Sequence, residues 1–154
     1  MSGQGPEDRL AELGHSVPSV VPPVAAYVPA VRSGSLVFTA GQVPMRDGEL
    51  VAAGKVGGEI SVDLATECAQ QCALNAIAAV KAEIGDLSKV RRVVKAVVFV
   101  ASTPDFTGQP GVANGASEFI GEVFGDAGKH ARSAVGVPVL PLDAPVEVEV
   151  LVAL

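Results

Sequence analysis

The chain has 154 residues, 49% of them hydrophobic and only 4% aromatic, enough for one domain with a core of Val, Ala, Leu and Ile. Its formal net charge is −6, its basic residues are scattered, and Arg91-Arg92 is the one adjacent basic pair; this argues against a nucleic-acid partner, whose phosphates call for clustered Lys and Arg. No uninterrupted apolar run reaches membrane-spanning length and the start lacks signal-peptide character, so the expectation is a cytoplasmic protein without membrane contact.

Residues 1 to 9 are polar and contain glycine, which predicts a frayed start. Arg9 to Leu13 fits a short helix ended by Gly14, and Ser16 to Pro23 is proline-rich and reads as extended. Ala25 to Arg32, which includes the lone tyrosine Tyr27, and Leu36 to Thr39 read as a hairpin about the Ser33-Gly34-Ser35 turn. Gly41 to Pro44 closes that strand, and the glycine-rich segment from Met45 to Ile60 reads as loop. Gly41 permits close approach of its backbone to a ligand or a neighbour, or simply marks a bend.

Ser61 suits a helix N-cap, and apolar residues spaced three and four apart from Val62 to Ile84 predict an amphipathic helix ending near Gly85. Its alanines allow close approach to a sheet. Cys68 and Cys72 are the only cysteines, and the two histidines, His15 and His130, are far apart in sequence. Two thiols four apart in a helix read as small buried residues in a reducing compartment, so no metal is expected. Val90 to Val100 is the clearest strand. Val112 to Phe124 is a second helical pattern stopped by Gly125 and Gly128.

From Lys129 to Leu154 the reading is strand, turn, strand, with Leu140-Pro141-Leu142-Asp143-Ala144-Pro145 as the turn. Glu147 and Glu149 are two apart and face one way, while Val146, Val148 and Val150 face the other. Carboxylates on an oily strand need a partner or water, and Arg132 is the expected partner. The order β-β-α-β-α-β-β predicts an α+β mixed sheet with both helices on one face and hairpins at each end. The bare face then calls for a cyclic homo-oligomer.

Tyr27, Thr39-Ala40-Gly41-Gln42-Val43-Pro44, the Val94 to Val100 strand, Asn114, Ala131-Arg132-Ser133, Leu140-Pro141 and Val146-Glu147-Val148-Glu149 occur in the order seen in the YjgF/RidA (Rid) family. The resemblance spans roughly residues 24 to 153 and divides the chain into an N-terminal extension, 1–23, and one YjgF/RidA-like domain, 24–154. It implies a chorismate-mutase-like fold, a homotrimer with clefts between subunits, and no cofactor. It also implies hydrolysis of reactive enamines and imines such as 2-aminoacrylate to keto acids and ammonia. By position, Arg132 resembles the family's carboxylate clamp and Glu147 its glutamate beside the attacking water. Tyr27, Gly41, Asn114 and Ser133 join Arg132 in the substrate-binding set.

A guanidinium suits a carboxylate because it donates two parallel hydrogen bonds. Asn114 also suits a helix cap, and Tyr27 a packing role. Ser133 has no identifiable base and is not read as a nucleophile. This branch carries His130 where many members have Pro, and Ala134 where many have Cys. His130 is a conceivable proton shuttle or an ordinary surface histidine. Three functions stand: an imine/enamine deaminase, a non-catalytic keto-acid-binding or regulatory module using the same cleft, and, weakest, an endoribonuclease.

Overall fold

A computed structural model describes residues 3–20, 22–23 and 25–154. Parts of the expected frayed start (Met1, Ser2) and extended stretch (Val21), and Val24 at the expected domain boundary, lie outside the described residues.

Among the described residues, seven strands and three α-helices follow one another as α1 (Pro6–Glu12), β1 (Ala30–Ser33), β2 (Leu36–Thr39), β3 (Met45–Arg46), β4 (Glu49–Leu50), α2 (Val62–Ile84), β5 (Arg92–Ala101), α3 (Gln109–Phe124), β6 (Ala131–Val137) and β7 (Val146–Ala153). The main sheet has the order β1-β2-β7-β5-β6, with β5 and β6 parallel and every other pair antiparallel. This is the expected α+β mixed sheet with α2 and α3 packed on one face. No helix is long and apolar enough to cross a membrane among the described residues.

The α2 helix has the expected bounds. Ser61 Oγ accepts from the Leu64 amide, and Gly85 closes the helix at φ 84°, where an L side chain is strained. Most of its alanines are buried, as are both cysteines. Burial pushes the Cys68 thiol up to about 11 and raises the Cys72 thiol, which donates to the Val146 carbonyl, well above its ordinary value. Both thiols therefore stay protonated at neutral pH, as packing residues do.

Four expectations are corrected. The N-terminal segment is ordered from Pro6: Leu10 is buried, Arg9 donates to the Val123 carbonyl and Glu7 pairs with Lys81. One buried leucine anchored to the helix layer outweighs the polar composition. The loop after Pro44 contains the β3–β4 hairpin, closed by Asp47 and Gly48 at φ 53° and 83°; an Asp-Gly pair favours this tight turn. Helix α3 starts at Gln109, because Pro110 suits its first turn. Asn114 therefore lies inside the helix and is not its cap.

The fourth correction moves the site. β6 and β7 are not a hairpin, since β5 lies between them. α3 carries the chain from β5 to β6 as a parallel crossover. The Leu140-Pro141 segment then crosses the end of β5, turning through Leu142 and Asp143 at positive φ.

Where α2 and α3 meet, Gly115 packs on the backbone of Thr66, and a Cβ there would collide with the Thr66 carbonyl. Backbone cannot swing aside as a side chain can. Gly115→Ala is therefore expected to lower stability by about 1–3 kcal/mol, the range for overpacking, while Gly121→Ala, which meets open space, should hold or raise it. Chemical denaturation of the two variants measures the contrast.

Candidate functional site

The two faces of the sheet are set by β7. Val146, Val148, Val150 and Val152 are buried against the helices, which turns Glu147 and Glu149 to the opposite, open face. Register continues the rows across that face: Glu147 lies beside Phe99 and then Val135, and Glu149 beside Val97 and then Ser133. Val31, Phe38 and Val135 are about half exposed there, at 52%, 46% and 44%. The bare apolar face expected from the element count is present.

The Glu147 carboxylate lies over the backbone of Gly41, where a Cβ would collide with Oε1. Two backbone hydrogen bonds between Gln42 and Val148, 2.8 and 3.0 Å, hold the segments together. Thr39 Oγ1 accepts from the Val150 amide at 3.0 Å, so β2 leaves the regular ladder just before Gly41. Partial burial, and secondarily the charge of Glu149, raise the pKa of Glu147. Its carboxylate has no cationic partner among the described residues. This half of the site offers a carboxylate ready to exchange protons beside an accessible backbone.

Arg132 lies on the other face. It is in register with buried Ala96 on edge strand β6, and its side chain turns to α3. Nη1 donates to Asn114 Oδ1 at 2.8 Å and to Ser117 Oγ at 3.3 Å, and Nη2 lies 3.4 Å from the Pro110 carbonyl. These acceptors are neutral, so the charge is oriented without being cancelled. Asn114 and Arg132 thus meet as expected. Ser117, His130, Lys129, Gly121 and Gly128 complete a basic pocket of about 400 Å³ around Arg132.

The expected ion pair between Arg132 and the glutamates of β7 does not form, and Arg132 and Glu147 share no pocket within one chain. The physical reason is parity: the parallel β5–β6 register puts Arg132 on the face of Ala96, and β7 puts Glu147 on the face of Phe99. Ser133 falls on the open face with Glu147, one residue out of phase with Arg132. Tyr27 is half exposed just ahead of β1, at the sheet edge opposite β6. The predicted residues therefore form two half-sites, Gly41 with Glu147 and Arg132 with Asn114. Ser117 was not foreseen; its signal was its place three residues after Asn114, on the same side of a helix.

A larger cavity of about 590 Å³ lies elsewhere, between the N-terminal segment, the β3–β4 turn and α2. Its buried amides are spent on structure: Asn75 donates to the Val43 and Met45 carbonyls and accepts from Gln71, which accepts from Arg46.

A mixed five-stranded sheet with two helices on one face is the architecture of a chorismate-mutase-like α+β protein. Residues 7–154 match the family described as "YjgF/chorismate_mutase-like, putative endoribonuclease", and the chain belongs to this YjgF family. Protein TCP17 of Trypanosoma cruzi is 44% identical over 147 residues, 95% of this chain and 92% of that protein. A 2-iminobutanoate/2-iminopropanoate deaminase of Dermatophagoides farinae is 33% identical over 141 residues, 90% of this chain and 94% of that protein. The crystal structure of Atu1372 from Agrobacterium tumefaciens superposes with a TM-score of 0.91 at 46% identity, covering 97% of this chain and 92% of that one.

The raised pKa of Glu147 fixes a sign. The folded state binds its proton more tightly than the unfolded state, so this residue's contribution to stability is full below the ordinary glutamate range. It is lost as pH rises through the raised value. Glu147→Gln should therefore melt higher than the parent at pH 7, with the gap closing toward pH 4. Thermal melts across that range test it.

Proposed function

We propose that the protein is an enamine/imine deaminase. Its substrates are small carboxylate-bearing imines such as 2-iminopropanoate, the tautomer of 2-aminoacrylate, and its products are a keto acid and ammonia. The observation that carries this reading is the pair of complementary half-sites: an uncancelled guanidinium on one face, and on the other a carboxylate of raised pKa over a bare glycine backbone. Sequence kinship to a deaminase of 2-iminobutanoate and 2-iminopropanoate supports the substrate class.

The half-sites meet between copies. In a homotrimer, edge strand β6 of one copy sits against the open face of the next. Arg132 and Asn114 of the first then face Gly41 and Glu147 of the second, with Tyr27 and Ser133 at the margin. Covering the open face also removes Val31, Phe38 and Val135 from water.

In this cleft Arg132 holds the substrate carboxylate through two parallel hydrogen bonds and aims the imine carbon. Glu147 takes a proton from water as its oxygen bonds to that carbon, and the C=N π electrons move to nitrogen. Glu147 then returns the proton to nitrogen. Glu147 next takes the carbinolamine hydroxyl proton and delivers it to nitrogen; the C–O bond becomes C=O, the C–N bond breaks and ammonia leaves. Partial burial suits Glu147 to both directions of transfer, because its proton affinity lies closer to neutrality than that of an exposed glutamate.

Release of pyruvate, with the imine generated in situ by a serine or cysteine desulfhydrase-type enzyme, should be accelerated over buffer. Arg132→Ala and Glu147→Gln should each abolish that acceleration. Co-expressed in one cell, these two variants should recover about one quarter of parental activity, since random mixing pairs an intact Arg132 copy with an intact Glu147 copy in about that share of clefts. No recovery would place both residues in one copy's site and overturn the shared cleft. Binding of 2-oxobutyrate without turnover would favour the keto-acid-binding module instead.

A further inference from the structure

The donors around Arg132 run in one direction. His130 Nδ1 is 2.6 Å from the Gly128 carbonyl, which can only accept, so Nδ1 carries a proton. In the neutral ring Nε2 is then the acceptor, and it accepts a hydrogen bond from the Ser117 hydroxyl at 2.9 Å. With its proton committed, Ser117 Oγ presents lone pairs to Arg132 Nη1 at 3.3 Å. The result is a chain from Arg132 through Ser117 and His130 to Gly128, each group donating to the next. Such chains strengthen their members by polarisation.

The far end of the chain is fixed. Gly128 packs on α3 so closely that a Cβ would come within 2.7 Å of the Ile120 carbonyl. Ser117 is on α3 itself. The near end is a long side chain with much rotamer freedom to lose, so each anchor matters. Asn114 supplies one anchor at 2.8 Å. The Pro110 carbonyl, at 3.4 Å, is a weak second.

We propose that His130 is a positioning residue: through Ser117 it fixes the guanidinium of Arg132 for an incoming carboxylate. The proposal rests on the reading of Arg132 as the carboxylate clamp, and it gives the residue before Ala131-Arg132-Ser133 a task in this chain. Lys129, Arg132 and the Asp126 that pairs with Lys129 are the charged groups nearest the ring in sequence or contact. None of them bonds the imidazole, so His130 reaches the guanidinium only through Ser117.

Two measurements on the full-length protein separate the device from the clamp. The first needs no ligand. Imidazole and guanidinium nitrogen NMR should show His130 protonated at Nδ1 and a sharp Arg132 Nε–H signal. Ser117→Ala and His130→Ala should each broaden that signal while far-UV circular dichroism stays unchanged. The second is calorimetry with 2-oxobutyrate. His130→Ala should weaken binding about fivefold, the fold-change of one net hydrogen bond. His130→Gln, which keeps an acceptor near the Nε2 position, should restore most of it. The double variant with Ser117→Ala should bind no worse than either single one, because both break one chain. An Arg132 signal and affinity unmoved by His130→Ala would overturn the proposal. If the parent binds no 2-oxobutyrate while the Arg132 signal still answers to His130, the clamp reading falls and the positioning contact stands.

Discussion

Alternation along β7 governs the rest of the molecule. Four valines on one side of this central strand are sealed against α2 and α3, and a slip of one residue would drive Glu147 and Glu149 into that apolar layer. The register is therefore fixed by a cost far larger than any single contact. Once it is fixed, Glu147 must stand on the open face, and the segment after β2 that it covers can carry no side chain at position 41. Glycine there follows from the valine stripe, which turns Glu147 over the backbone at position 41.

The same alternation separates the charges. β5 is parallel to β6 and antiparallel to β7, and it passes each neighbour's parity across the sheet. Arg132 inherits the helix face and Glu147 the open one. Were they adjacent, they would form an ion pair and neutralise each other. Apart, Arg132 is oriented by neutral oxygens and keeps its charge for an anion, while partial burial and Glu149 raise the proton affinity of Glu147. In the proposed function the division leaves two halves on one chain, and the bare sheet face is where another copy would bring them together.

Small residues set how closely the layers approach. The alanines and buried cysteines of α2 let it lie on the sheet, and Gly115 lets α3 lie on α2. α3 is in turn the ruler for the arginine half-site: Pro110, Asn114 and Ser117 are spaced so that three acceptors face Arg132 from a single helix side. Adding volume between α2 and α3 would tilt that row as well as strain the core. The N-terminal helix packs on the same layer through Leu10, remote from both half-sites.

Local chemistry made much of the fold legible in the sequence. Ser61 and Gly85 bracket α2 because a hydroxyl cap and a left-handed glycine end helices wherever they occur. The valine run of β5 and the alternation of β7 name their strands by side-chain period alone. Membership of the family also showed, since its marks are short motifs in order. The partner of each strand did not show: nothing local to residues 131–153 says that β5 will enter between β6 and β7, because pairing is decided by how α3 docks far away in sequence. For the same reason Arg132 and Glu147 were identifiable as chemistry but not as neighbours. Spacing along a strand fixes a face only relative to that strand, and only the packed sheet decided that the two residues look out from opposite sides. Ser117 and His130 gained their connection to Arg132 in the same way, through the packing of a helix and a loop on the sheet edge.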